Sequence, residues 1–128
     1  MRSFVALEEI EGQMLERNHG GTGPIEFRRL LKQADFQTSV DFVDYTVIPP
    51  GSTIGRHTHA GNEEIYFIVA GRPSVTVNGN ERRLEPGGIA VVRSGQTHEL
   101  VNDTPSDVAI FVIQVRHSHA GANAPAAA

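Results

Sequence analysis

From Val40 onward the chain alternates short β-rich runs with turn signals. Val40–Ile48 is dense in β-branched and aromatic residues and ends at Pro49-Pro50-Gly51. Glu64–Ala70 stops at Gly71. Ser74–Val77 meets Asn78-Gly79, the commonest short-hairpin pair, and Glu81–Leu84 returns beside it. Pro86-Gly87-Gly88 is another turn, Ile89–Arg93 another strand and Ser94-Gly95 another turn. Thr97–Asn102 and Val108–Val115 complete the set. No long run with helical periodicity interrupts this rhythm, so the pattern predicts an all-β sandwich or barrel.

The first forty residues are less regular. Phe4, Leu7, Ile10, Met14 and Leu15 punctuate acidic neighbours, and residues 4–18 read as a strand followed by a short helix. His19-Gly20-Gly21-Thr22-Gly23-Pro24 is a loop. Ile25–Leu31 reads as a strand with Ile25, Phe27 and Arg29 on one face. Arg28, Arg29 and Lys32, the densest basic group, read instead as the solvated face of a short helix. Gly121–Ala128 is alanine, glycine, asparagine and proline, too poor in apolar area to fold. The expected organisation is an extension over 1–39, a barrel over 40–116 and a disordered tail over 117–128.

Composition narrows the chemistry. A chain of 128 residues suits one domain. The absence of cysteine removes disulfide frameworks, thiolate metal sites and cysteine nucleophiles. The net charge is −4 with eleven scattered basic residues, which argues against nucleic acid as a partner. No apolar run approaches the ~20 residues a membrane span needs. Glu8, Glu9 and Glu11 follow the N-terminus too soon for a secretory signal, so the expected location is cytoplasmic.

Candidate chemistry lies with the histidines. Residues two apart on a strand share a face, so His57 and His59 present both imidazoles to one side. Glu63 and Glu64 follow at the start of the next strand, and His98 begins a later one. Imidazoles and a carboxylate are suitable ligands for Fe, Mn, Ni or Zn near pH 7. Tyr66 and Tyr45 would donate to a substrate oxygen or pass protons if they face inward, and are core aromatics otherwise. His117 and His119 repeat the spacing without a carboxylate and read as solvated. His19 reads as an ordinary loop residue. Gln96 and Arg93 are candidates for the pocket rim, and Asn102 for a structural role. The interior lining is expected from Val47 or Ile48, Ile68, Val91 and Leu100.

The spacing itself is specific. Gly51, five residues, His57-Thr58-His59, four residues, Glu64, six residues and Gly71 form a first motif. Gly87, five residues, Arg93-Ser94-Gly95, two residues, His98, three residues and Asn102 form a second. Together they resemble the two motifs of the cupin superfamily, in its small single-domain (cupin 2) form, except that Arg93 stands where proline is usual. The resemblance implies a double-stranded β-helix, or jelly-roll, barrel with a short N-terminal extension. It implies one divalent metal on His57, His59, Glu64 and His98. Glu63 is the competing carboxylate, but only Glu64 keeps the six-residue interval to Gly71. Tyr66 and Glu64 are the residues expected to act on substrate. The implied activity is that of a metal-dependent dioxygenase, isomerase, decarboxylase or cyclase on an oxygen-rich chelating molecule. The alternative is a ligand-binding or sensor module without catalysis. A homodimer is also implied, with the N-terminal strand and exposed sheet edges as its natural contacts.

Overall fold

The computed structural model describes residues 2–117. It contains ten strands: β1 (Gln13–Glu16), β2 (Pro24–Lys32), β3 (Val40–Ile48), β4 (Thr53–Thr58), β5 (Asn62–Ala70), β6 (Ser74–Val77), β7 (Asn80–Arg83), β8 (Ile89–Val92), β9 (Thr97–Val101) and β10 (Val108–Arg116). Six strands form one antiparallel sheet in the order β1-β2-β3-β10-β5-β8. Four form a second in the order β4-β9-β6-β7. Non-consecutive neighbours in both sheets give the jelly-roll connectivity, and the two inner faces enclose the core.

Alternation along each strand decides what faces inward. On β5, Glu64, Tyr66 and Ile68 are buried while Glu63, Phe67 and Val69 are exposed. Ile48, Ile68, Leu100, Val108 and Ile110 are wholly buried and close the interior below the polar cluster described next. Burying each such side chain contributes about 1.5–3 kcal/mol. The expected lining is thereby corrected: Val92 rather than Val91 is buried, a one-residue register difference that the apolar pair could not resolve. Ile48, Ile68 and Leu100 are sealed core residues.

Turns match their residues. The hairpin between β6 and β7 has Asn78 at φ 50° and Gly79 at φ 87°, the two positive values that its tight turn requires. Gly71, at φ 85°, sits where a Cβ would lie 2.6 Å from the Asp107 carbonyl oxygen. Arg93, in place of proline, closes its turn in another way. Its N–H donates to the Gln96 side chain and its carbonyl accepts from Gln96 N–H, so Gln96 serves the turn and not the pocket rim. Asn102 is fully buried: its amide donates to the carbonyls of Ile48 and Ser106, and its oxygen accepts from Thr104 N–H and hydroxyl.

The N-terminal expectation needs two corrections. The short helical turn comes first, at Leu7–Glu9, where the Glu9 carboxylate accepts from Ala6 N–H, and the strand follows at Gln13–Glu16. Arg28, Arg29 and Lys32 lie on β2, not on a helix, because pairing of β2 with β3 along Glu26↔Val47 to Lys32↔Phe42 overrides local preference. Of the expected tail only His117 is described, and it is exposed; His119 and the residues after it lie outside the described range.

The outer face of the larger sheet is unusually apolar. Tyr45, Phe111, Phe67 and Ile89 stand side by side across β3, β10, β5 and β8. Val43, Ile113, Ile65 and Val91 form the adjacent row. Tyr45 therefore points away from the interior and packs edge-on against Phe111, which removes it from the candidate site.

Candidate metal centre

Three segments converge at one end of the interior. His57 on β4 stands directly opposite His98 on β9. His59 lies just past β4, held because its N–H donates to Gln96 O and its carbonyl accepts from Gly95 N–H. Glu64 enters from the inward face of β5. Glu63 is exposed on the opposite face.

The four side chains meet closely. His98 Nε2 is 3.0 Å from His57 Nε2 and 3.0 Å from His59 Nε2. Glu64 Oε1 is 3.3 Å from His98 Nε2 and 3.4 Å from His59 Nε2. All four potential ligand atoms lie within 4.8 Å of one another. His59, Glu64 and His98 are buried and His57 is half-buried.

Their outer hydrogen bonds set the tautomers. His57 Nδ1 donates to the Gly55 carbonyl at 2.8 Å, and His59 Nδ1 donates to Asn62 Oδ1 at 2.5 Å. Both rings therefore turn an unprotonated Nε2 toward the centre. Burial is the main cause that pushes the His57 imidazole down to about 4, with the Gly55 hydrogen bond opposing it. Lone pairs facing one another at 3.0 Å repel unless a cation or proton lies between them. With metal–ligand bonds of about 2.1 Å, neighbouring ligand atoms are expected roughly 3.0–3.4 Å apart. The residues thus fit a small divalent ion in spacing, donor type and orientation.

A cavity of about 120 Å³ opens onto this cluster at Glu64 and Tyr66. Ile25, Phe27, Phe42, Ile54 and Val112 form its apolar walls, and Asn18, His19, Asp44 and Thr46 add polar groups. Tyr66 is buried, and its ring stacks near His98 with the hydroxyl 3.4 Å from Nε2. Burial, helped by the Glu64 charge, holds that phenol well above its ordinary range.

His19 is the residue that sequence reasoning passed over. Its ring stacks on His57 with centroids 3.6 Å apart and planes 10° from parallel. It occupies a strained position at φ 52°, beside Arg17 at φ 53°. Glycines make the approach possible: a Cβ on Gly55 would fall 2.2 Å from the His19 carbonyl oxygen, and one on Gly21 would fall 2.7 Å from the Thr53 carbonyl oxygen. Burial is the largest influence on its imidazole and lowers it. The available signal was Gly55, a glycine inside a strand, which marks close backbone approach.

The sequence model of the cupin domain family matches residues 44–114, more than half of the chain and the span that carries both motifs. The chain belongs to the cupin family. An oxalate-binding protein of Thermotoga maritima is 28% identical over 109 residues, covering 85% of this chain and 90% of that one. The crystal structure of a predicted oxalate decarboxylase from Thermotoga maritima superposes with a TM-score of 0.86 at 26% identity, covering 88% of this chain and 98% of the other. The tetracenomycin polyketide synthase protein TcmJ of Streptomyces glaucescens is 29% identical over 75 residues, which are 59% of this cupin and 50% of that protein. No helix among the described residues is long and apolar enough to cross a membrane.

Proposed function

We propose that His57, His59, Glu64 and His98 hold one divalent transition metal, and that the centre belongs to an enzyme acting on a small oxygen-rich molecule that chelates the ion. The observation that carries this reading is the convergence of three Nε2 atoms and Glu64 Oε1 within 4.8 Å, with His98 Nε2 at 3.0–3.3 Å from the other three and two of the rings locked outward through Nδ1. Fe, Mn, Zn and Ni all suit the ligand set. A bound ion would supply Lewis acidity, or dioxygen chemistry in the case of iron.

The chain's own groups do the rest. Glu64 brings negative charge to a buried site and so favours a cation there. Tyr66 presents a hydroxyl donor where the cavity meets the cluster, placed to bond a substrate oxygen. Phe27, Phe42 and Ile54 exclude water from the bound molecule. The oxalate-binding relative supports a chelating acid as ligand class. That same relative favours a second reading, a binding module without catalysis. Turnover separates the two: a metal-loaded protein that binds a chelating acid yet converts none supports the module.

Elemental analysis of the purified protein beside a His57→Ala/His98→Ala variant tests the centre. Near-stoichiometric metal in the wild type, lost in the variant, is the expected result. Both proteins remaining metal-free after reconstitution would overturn the proposal.

The apolar outer face is read as a homodimer contact. Its two apolar rows run across four neighbouring strands, which favours this face over the N-terminal strand and sheet edges as the surface a second copy would cover. Phe67 is 38% exposed, and aspartate there leaves the interior untouched. Light scattering is expected to give twice 13.9 kDa for the wild type and 13.9 kDa for Phe67→Asp. A monomeric wild type sinks this contact.

A further inference from the structure

The mouth of the cavity carries a charged pair that the metal centre does not use. Asp44 lines the cavity and is 7% exposed, and both of its oxygens are taken by one guanidinium. Arg29 Nε donates to Oδ1 at 2.9 Å, and Arg29 Nη2 donates to Oδ2 at 3.0 Å. The two residues stand directly opposite each other on β2 and β3. Arg29 lies 4.2 Å from the centroid of the Phe42 ring and 5.9 Å from that of Phe27, and both rings are cavity walls. Its position is therefore held from the edge by a carboxylate and from the side by aromatic faces.

One edge of that guanidinium remains available. Arginine has five N–H donors in a planar fork, and Asp44 engages only the Nε/Nη2 edge. Among the described residues Nη1 has no hydrogen-bond partner, and the side chain is 47% exposed. Stability alone gives a weak reason for the arrangement, since an ion pair with one half-exposed partner usually gains little. Burial indeed pushes the Asp44 carboxyl up in spite of its partner. A fixed guanidinium with a free planar edge, at the rim of a cavity, matches a carboxylate in shape and charge.

We infer that Arg29 is an anion-binding arm that takes the distal carboxylate of a diacid or keto diacid whose other end reaches the metal centre. The inference rests on the chelating-substrate reading above and adds the length and charge of the substrate. Across the order β2-β3-β10-β5, Asp44 is level with Tyr66 and two strands from Glu64, and Arg29 is one strand further; the backbones are about 10–15 Å apart, and Asp44 and Glu64 both turn inward. A substrate that reaches both the arm and the centre is therefore longer than a two-carbon diacid. Oxalate is too short to touch both, so its affinity depends on Arg29 far less than that of a longer diacid.

Calorimetry on zinc-loaded protein tests this with three probes: oxalate, 2-oxoglutarate and 2-oxopentanoate. The last two share the chelating keto acid and differ in the distal carboxylate. The wild type is expected to prefer 2-oxoglutarate by about 10- to 100-fold, the range for a charge-assisted bidentate pair. Arg29→Gln should abolish the preference while oxalate and 2-oxopentanoate still bind. Because Arg29→Gln strands a buried Asp44, the Arg29→Gln/Asp44→Asn variant is measured beside it, with thermal melts confirming its fold; it too should lose the preference. A preference that persists in the double variant, or none in a wild type that binds all three acids, overturns the arm and leaves the chelating centre standing. Binding of none of the three, oxalate included, overturns the chelating reading and the arm with it.

Discussion

Adding zinc to the metal-free protein is expected to raise its melting temperature by about 10–20 °C. Ligand that binds only the folded state at a thousand times its dissociation constant contributes about 4 kcal/mol. For a domain of this size each kcal/mol is worth roughly 3–5 °C. The gain is large because the fold gathers three Nε2 atoms and the Glu64 carboxylate into one donor set. The unfolded chain holds no such set, so an ion bound there stabilises the native state alone. His98→Ala removes the atom closest to both other imidazoles and should erase the shift. Thermal denaturation followed by circular dichroism, with zinc, manganese, iron(II) and nickel in turn, provides the check. Shifts below about 2 °C for every ion would contradict the ligand set.

The second large effect lies away from the cavity. Asn102→Ala is expected to destabilise the fold by about 3–5 kcal/mol, because it strands two backbone carbonyls and two Thr104 donors behind a fully buried side chain. Asn102→Asp is the sharper comparison. It has nearly the same volume, yet both carboxylate oxygens are acceptors, so the Ile48 and Ser106 carbonyls face a like partner. Denaturant unfolding should place both variants well below the wild type. A near-normal aspartate variant would mean that the amide donors contribute little and that packing alone keeps Asn102 in place.

Most of the barrel and the clustering of His57, His59, Glu64 and His98 were legible from the sequence for one physical reason. Strands from Val40 onward are bounded by turn residues whose backbone demands are local, such as Asn78-Gly79 and the glycines at 51, 71, 87 and 95, all of which have positive φ. His57, Glu64 and His98 follow from strand alternation within those bounds, and His59 from the turn that catches its backbone. What could not be read depends on long-range pairing. Arg29 looked like a helix-surface residue because its partner Asp44 is fifteen positions away on another strand. His19 looked idle because its stacking on His57 depends on two loops pressed together through Gly21 and Gly55. Val91 and Val92 are equally apolar, so only the observed register tells which one is inside.

The cavity draws its two kinds of residue from different stretches of chain. Asn18, His19, Asp44 and Thr46 all precede the first motif, whereas Glu64 and Tyr66 belong to it or adjoin it. On the proposed function, substrate preference can therefore drift by changes within residues 18–46 while the histidine–glutamate cluster stays constant. Two proteins with the same pair of motifs share Ile54, Glu64 and Tyr66 at most by spacing, and the motifs say nothing of residues 18, 19, 44 and 46. A chimera that transplants residues 13–46 between such relatives would move the preference and leave the donor set behind.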